Sequence, residues 1–321
     1  MIDSTRERSD AIFPVRTVAA AAFGMASYLL TAHLTFGNRP EQFALCGLML
    51  VACVWSDRTR RFFRAMLPFL LFGITYDCLK LLLPLLPSHE VKVAWPYLVD
   101  KILFGVPTES GRLSLGEFFK QRHWMAVDFV CGLAYLLYVY VVIGLALYLA
   151  LTKASHEPTL LRRFGWTFFF VNLAGFLTYL LFPVAPPWYV SLHGLGPVDP
   201  NARPDPAGLA RWDQLTGIPC FSTLYSRSSD VFGSVPSLHC AYPMIAFLYA
   251  RELRKRWLDA SLLAFWAVVV FSAVYLQHHY VLDTILGTGY ALAGWAVELG
   301  ITYLAASRLS ASLAPMANTE T

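Results

Sequence analysis

Charge is what this chain has least of. Only 14% of its 321 residues are Asp, Glu, Lys or Arg, while 57% are apolar or aromatic; an average soluble domain is about 25% charged. A large soluble core is thereby excluded and an integral membrane protein expected. No block of basic residues suits nucleic acid, and the net charge is a modest +4. The six cysteines (Cys46, Cys53, Cys78, Cys131, Cys220, Cys240) contain no CxxC pair, so they read as small buried hydrophobes rather than a disulfide framework. Neither HExxH nor HxxxH occurs, which argues against a metal site. Internal repeats, low-complexity tracts and interdomain linkers are missing too. The first apolar stretch is too long and too poorly ended for a cleavable signal peptide and reads as a retained helix.

What is present is a series of apolar runs. Stretches near 17–36, 43–55, 65–86, 124–151, 164–183, 237–250, 257–277 and 281–305 read as membrane spans. Basic clusters around residues 6–16, 58–64, 153–163, 251–256 and Arg308 all fall on one side of an eight-span layout with both termini inside, as the positive-inside rule expects. The stretches 87–123 and 184–236 then become long external loops rich in Pro, Gly and Trp, with Trp95, Tyr97, Trp188 and Tyr189 read as interfacial belt aromatics. The expectation is an all-α polytopic protein of about eight transmembrane helices. Residues 1–64 hold a tail and two accessory spans, 65–308 the catalytic membrane domain, and 309–321 a disordered tail.

Two motifs carry the chemistry: Ser234-Val235-Pro236-Ser237-Leu238-His239 and His278-His279-Tyr280-Val281-Leu282-Asp283. In the eight-span layout both lie at the outer face. His279 and Asp283 are four apart and share one helix face if the last helix begins by residue 279. The carboxylate then accepts the imidazole N–H, fixes its tautomer and leaves the other nitrogen free to attack. Pro236 suits a first helical turn and Ser234 or Ser237 its cap, and the exposed amides of that turn suit a phosphate. Two histidines and an acid are the parts of phosphoryl transfer. Charged groups inside spans are functional candidates by default. Asp77 and Lys80 share a helix face as either a structural pair or a substrate contact, and Asp128 either binds a substrate hydroxyl or caps a buried polar group. His278 projects away from His279 and takes no role, and that of His193 stays open.

At these residues the chain resembles the PAP2 superfamily of membrane phosphatases and phosphotransferases. Pro236-Ser237-Leu238-His239 corresponds to its PSGH element, with Leu238 for Gly. Ser272 to Asp283 corresponds to its SRxxxxxHxxxD element, with Ala273 for Arg, and its KxxxxxxRP element is not recognisable. These departures, with Phe182-Pro183-Val184-Ala185-Pro186-Pro187-Trp188-Tyr189, His193-Gly194 and Gly208-Leu209-Ala210-Arg211-Trp212-Asp213, are similar to the inositol phosphorylceramide synthase branch. The similarity is strong over 165–295 and weaker over 65–130, where Tyr76-Asp77, Asp100 and Phe104-Gly105 carry it.

The resemblance implies a PAP2-like six-helix core in the last six spans. It implies double displacement through a phosphohistidine without metal or cofactor, with His279 as nucleophile, Asp283 as its orienter and His239 as acid and then base. The partners implied are a phospholipid donor, phosphatidylinositol first, and a ceramide-like lipid alcohol as acceptor. With the superfamily's phosphate-binding cations replaced, Lys80 and Arg227 are the substitutes to test, and Ser237 and Tyr280 complete the candidate substrate contacts. Fewer cations suit a diester, which carries one negative charge where a monoester carries nearly two. A PAP2 hydrolase using water and a non-catalytic lipid transporter of the same fold are the rival readings. The active site is expected on the non-cytoplasmic face, and the short loops lean toward a bacterial inner membrane.

Overall fold

The computed structural model describes residues 3–35, 37–82, 90–109, 111–152, 158–199, 201–228 and 231–317. The chain is an all-α polytopic membrane protein, and the described part of each of the eight apolar stretches is helical. They are α1 (Asp3–Thr35), α2 (Pro40–Trp55), α3 (Asp57–Leu82), α6 (Met125–Thr152), α7 (Pro158–Leu181), α11 (Leu238–Ala250), α12 (Arg256–Tyr275) and α13 (Val281–Ala317). Among the described residues, α1, α3, α6, α7 and α12 are long and apolar enough to cross a membrane on their own, and α2 is a shorter apolar helix. The only sheet among the described residues is a hairpin of β1 (Val106–Thr108) and β2 (Gly111–Leu113), with Pro107 opposite Arg112.

The chain divides into two compact units, Met1–Leu81 and Leu82–Thr321. In the first, Tyr28 of α1 and Gln42 of α2 donate to the Asp77 carboxylate of α3 at 2.7 and 2.6 Å. Arg39, just before Pro40 opens α2, pairs with the same carboxylate. A buried carboxylate needs such donors, and here it ties three helices together.

The second unit is built around α11. This helix has 13 residues, roughly 20 Å at 1.5 Å per residue, too short for a hydrocarbon core about 30 Å thick. It is apolar on nearly every face, as a helix enclosed by other helices must be. Its neighbours α6, α7, α12 and α13 surround it.

The stretches read as long external loops are instead folded elements. The first holds α4 (Ala94–Phe104), the hairpin and α5 (Leu115–Gln121); the second holds α8 (Pro187–His193), α9 (Ala210–Thr216) and α10 (Cys220–Ser226). Short apolar and polar segments of this kind lack the run length that signals a span. Their start signals are legible in hindsight: Ser114 and Glu117 form a reciprocal capping box opening α5, and Pro187 opens α8. Three backbone bonds stitch the segments into a cap. Lys92 N–H donates to the Pro183 carbonyl at 2.8 Å, Ala185 N–H to Lys92 at 3.0 Å and Val184 N–H to Phe232 at 2.8 Å. Trp188, Tyr189 and Tyr97 are buried inside this cap while Trp95 is exposed, so three of the four expected belt aromatics are packing residues. Their polar tips find partners within the cap: Tyr97 donates to Glu117 at 2.7 Å and the Tyr189 hydroxyl accepts from Asp199 N–H at 2.8 Å.

The chain ends also differ from expectation. α1 begins at Asp3 and α13 continues to Ala317, through most of the two stretches expected to be tails. Ala, Leu and Ser continue past the last span, and the first two of these favour helix well beyond the apolar run. Residues 318–321 lie outside the described residues. The expected catalytic start at residue 65 falls within α3, most of which belongs to the first unit. All six cysteines are free, with Cys53, Cys131 and Cys240 buried.

Candidate active site

The site forms where the start of α11 meets the turn between α12 and α13. His239 is the second residue of α11, and His279 stands in the turn. Their facing nitrogens, Nδ1 of His239 and Nε2 of His279, are 3.0 Å apart, although the residues are 40 positions apart in sequence.

Several restraints hold that turn. After α12 ends at Tyr275, Gln277 adopts a left-handed conformation (φ 65°), a strained state for a residue with a Cβ. The amides of His278 and His279 both donate to the Ala273 carbonyl at 3.0 Å. The cap grips the turn from outside. Gln277 Nε2 donates to the Gly116 carbonyl at 2.9 Å, Trp188 N–H to the Gln277 carbonyl at 3.0 Å, and Gly208 N–H to the Leu276 carbonyl at 3.1 Å. A Cβ on Gly208 would lie 2.8 Å from the Leu276 Cα, so that close approach needs glycine. The cap thus positions the site as well as covering it.

The start of α11 is wedged between α13 and α7. Ser237 N–H donates to the Asp283 carbonyl at 2.9 Å, and Tyr179 of α7 donates to the Pro236 carbonyl at 2.9 Å. Gly287 of α13 lies so close beneath that a Cβ there would come within 2.0 Å of the Ser237 carbonyl oxygen. A bare α-carbon at 287 is therefore what lets the two histidines meet.

The carboxylate expected to orient His279 is present, in a modified arrangement. His279 Nδ1 lies 2.9 Å from the Ser234 carbonyl and 3.5 Å from Asp283 Oδ2. Nδ1–H donates to the backbone carbonyl rather than to the acid, which leaves the lone pair on Nε2 facing His239. Asp283 Oδ2 instead accepts from the Ser234 hydroxyl at 2.5 Å and the Tyr280 amide at 2.9 Å. The reason is that α13 starts at Val281, two residues later than i,i+4 stacking on the helix would require. His279 thus approaches the acid from the preceding turn. Both groups are almost wholly enclosed, His279 at 4% and Asp283 at 1% exposure.

The start of α11 also departs from expectation. Pro236 precedes the N-cap instead of opening the helix, and Ser237 occupies the N-cap without a side-chain capping bond. Its hydroxyl points to Cys240 Sγ at 3.3 Å.

Other candidates go elsewhere. Asp128 accepts from Arg211 Nε at 2.7 Å and the Tyr275 hydroxyl at 2.9 Å, and meets His123 Nδ1 at 3.1 Å; it is tied to protein groups. Asp77 is held inside the first unit by Tyr28, Gln42 and Arg39 among others, and the Lys80 side chain lies outside the described residues. Arg227 is exposed just past α10. Tyr280 is buried beside Tyr97 and Val184, with its hydroxyl unpaired among the described residues.

Three groups around the site drew little weight from the sequence. Tyr135 of α6 stacks on His239 (centroids 4.5 Å) and on His278 (5.4 Å); inside a uniformly apolar run it carried no signal. His278, assigned no role, is buried between Tyr225 and the Pro206 carbonyl, 3.2 and 3.1 Å from its ring nitrogens. Burial first, then the neighbouring His279, pushes it down to about 3, so this imidazole stays neutral. Asp100 of α4, 2% exposed, accepts the Val281 amide at 2.8 Å. It caps α13 from a distant segment, a role invisible to local pattern. Burial pushes its carboxyl up to about 6, the Val281 and Leu282 amides pull it down, and Asp283 pushes it up.

The PAP2 superfamily model matches residues 111–297, which include the whole site. The chain is 37% identical over 277 residues to the phosphoinositol dihydroceramide synthase of Bacteroides thetaiotaomicron, covering 84% of this chain and 88% of that protein. It is 40% identical over 134 residues to the inositol phosphorylceramide synthase of Candida albicans, covering 40% of this chain and 27% of that protein. Over 122 residues it is 38% identical to the catalytic subunit of the Saccharomyces cerevisiae enzyme, covering 37% and 29%. No solved structure gives a significant match. The chain belongs to the PAP2 superfamily and is a membrane transferase.

Proposed function

We propose that the chain moves a phospho-polyol headgroup, inositol phosphate first among candidates, from a phospholipid to a ceramide-like lipid alcohol and releases diacylglycerol. The observation that carries this reading is the 3.0 Å approach of His239 Nδ1 to His279 Nε2, with the opposite nitrogen of His279 engaged by the Ser234 carbonyl. In the first step His279 Nε2 attacks phosphorus, the bond from phosphorus to the glycerol oxygen breaks, and His239, entering the step as an imidazolium, gives that oxygen its proton and is left as the neutral imidazole. The headgroup stays on His279 as a phosphohistidine diester. In the second step the acceptor hydroxyl passes its proton to His239 and attacks phosphorus. The phosphorus–nitrogen bond breaks and both imidazoles return to their starting forms. Asp283 stabilises the charge that develops on His279 through its 3.5 Å approach to Nδ1, and Ser234 and the Tyr280 amide hold it in place.

Enclosure favours a lipid acceptor over water. A site lined by membrane helices and roofed by the cap limits hydrolysis of the intermediate. The site is assigned to the non-cytoplasmic face because the basic clusters of the sequence lie at the opposite helix ends. The names of the relatives, which speak of phosphoinositol and of ceramide, support an inositol phosphate headgroup and a ceramide-like acceptor, and no cofactor is required by this chemistry.

The test is turnover of labelled phosphatidylinositol by the purified full chain, with and without ceramide. Label is expected on the ceramide product only when acceptor is present. Acceptor-independent release of inositol phosphate would assign a hydrolase instead. No conversion by well-folded protein, together with a cellular phenotype untouched by His239→Ala and His279→Ala, would assign a lipid transporter.

A further inference from the structure

His239 must carry a positive charge at the start of the proposed reaction and none half-way through it, from a half-buried position. Taking an ion out of water is costly unless some group replaces the lost hydration. A carboxylate would do so, yet among the described residues the histidines paired with acids are His123, His193 and His279. Asp283 stands behind His279, and the neutral His278 is engaged by Tyr225 and the Pro206 carbonyl.

What His239 does have is aromatic rings. On α6, Asp128, Cys131, Tyr135 and Tyr138 follow one another at spacings of three and four and so share one face. Asp128 is committed to Arg211 and to Tyr275 of α12; the two tyrosines below it meet the imidazole. Tyr135 stacks on His239 with centroids 4.5 Å apart and planes 18° apart, and Tyr138 lies at 4.6 Å and 46°. The two phenol rings are 6.0 Å from each other, so as seen from His239 they stand close to a right angle and form a corner. His279 closes a third side at 5.1 Å. Tyr138 is backed by Tyr242 of α11 at 5.5 Å, and Tyr135, 3% exposed, has Tyr179 of α7 and Tyr225 of α10 nearby. The Tyr135 hydroxyl has no hydrogen-bond partner among the described residues, so what this residue brings to the site is its ring.

We propose that Tyr135 and Tyr138 are positioning residues that hold His239 in its charged, proton-donating form. The inference rests on the transfer reaction proposed above and adds the groups that tune its general acid. A ring face attracts a cation within about 6 Å of its centroid, most strongly where both are desolvated; a neutral imidazole gains much less. The two rings therefore favour the imidazolium before the first step. They leave His239, once its proton has gone to the glycerol oxygen, free to recover one from the acceptor hydroxyl. They do this without a permanent negative charge, which would repel the anionic diester.

Double displacement lets the two half-reactions be read separately. The kcat/KM for phosphatidylinositol reports the step in which His239 gives a proton, and that for ceramide the step in which it takes one. Purified full chain is assayed for both between about pH 5 and 9, and limbs are compared between variants because the two imidazoles titrate as a pair. Tyr135→Leu, which removes the ring, should move the high-pH fall of the donor profile down by about one unit, a loss of about tenfold above that limb. The low-pH fall of the ceramide profile should move down as well, so that ceramide kcat/KM near neutrality holds or rises. Tyr135→Phe keeps the ring and should return both limbs to their wild-type positions. A residue that only packs would lower both parameters together and leave the limbs in place. If Tyr135→Leu melts like wild type and its limbs match those of wild type and Tyr135→Phe, the inference is overturned. Should Tyr135→Leu fail to fold, Tyr138→Leu against Tyr138→Phe, at a less buried position, decides by the same criteria. Wild type that transfers no headgroup to ceramide would refute the transfer reaction itself and this inference with it, whereas active variants with unshifted limbs refute this inference alone.

Discussion

Asp77 and Asp283 are both buried helix carboxylates in a membrane protein, and they are neutralised in opposite ways. Asp77 is met by a guanidinium, a phenol and an amide side chain. Asp283 is met by a serine hydroxyl and a backbone amide, with an imidazole at 3.5 Å. A carboxylate that already has a permanent cation stabilises a fold and has little field left for chemistry. One held by neutral donors keeps its charge for a neighbour that, in the proposed mechanism, becomes cationic only during reaction. Both look alike in sequence, as an acid inside an apolar run; the partners distinguish them.

Exchanging each acid for its amide breaks or sharpens that contrast. Asp283→Asn, like His239→Ala or His279→Ala, is expected to lower kcat at least about 100-fold with little change in melting temperature. Asp77→Asn should reverse the pattern, with stability down about 1–3 kcal/mol from its mismatched partners and kcat within a few-fold. Activity assays paired with thermal melts in detergent decide it, and a large kcat loss for Asp77→Asn would return Asp77 to the list of substrate contacts.

A smaller effect is expected from the contact that brings α11 to α13. Gly287→Ala forces its methyl against the Ser237 carbonyl, and a displacement near 1 Å at a reacting group costs about 100-fold in rate. Gly289→Ala, where nothing lies within 4 Å, is the control and should be silent. Equal activity in the two variants would remove the argument that Gly287 sets the spacing of the histidines.

The smallest effects concern pH. Asp100 holds its proton up to about 6 in the folded protein against an ordinary 3.8, so its share of stability falls as pH rises from about 4 to 6. His278 is pushed down to about 3 from 6.5, so its share is lost as pH falls from 6.5. The two slopes oppose each other in wild type. Asp100→Asn should leave a melting temperature that drops on acidification, and His278→Gln one that rises between pH 6 and 4. Identical pH profiles for both variants would contradict the placement of these groups.

Much of this was legible in the sequence. The apolar runs gave the eight helices, because hydrocarbon demands a simple composition over a fixed length. The Pro-Ser-Leu-His and His-His-Tyr-Val-Leu-Asp motifs named groups that the fold brings together, His239 Nδ1 standing 3.0 Å from His279 Nε2. The cap escaped because its helices are short and set by contacts distant in sequence, such as Gln277 with Gly116 or Asp100 with Val281. The true partner of His279 Nδ1 escaped because a backbone carbonyl carries no residue signature. Tyr135 was hidden for the opposite reason, since an aromatic among apolar neighbours reads as packing.

The most direct measurement is the covalent intermediate itself. Full chain mixed with phosphatidylinositol labelled at phosphorus, quenched under basic conditions and digested, should yield label on the peptide containing His279, and none in His279→Ala. Label on another residue, or steady transfer to ceramide with no labelled histidine at any time, would contradict the account.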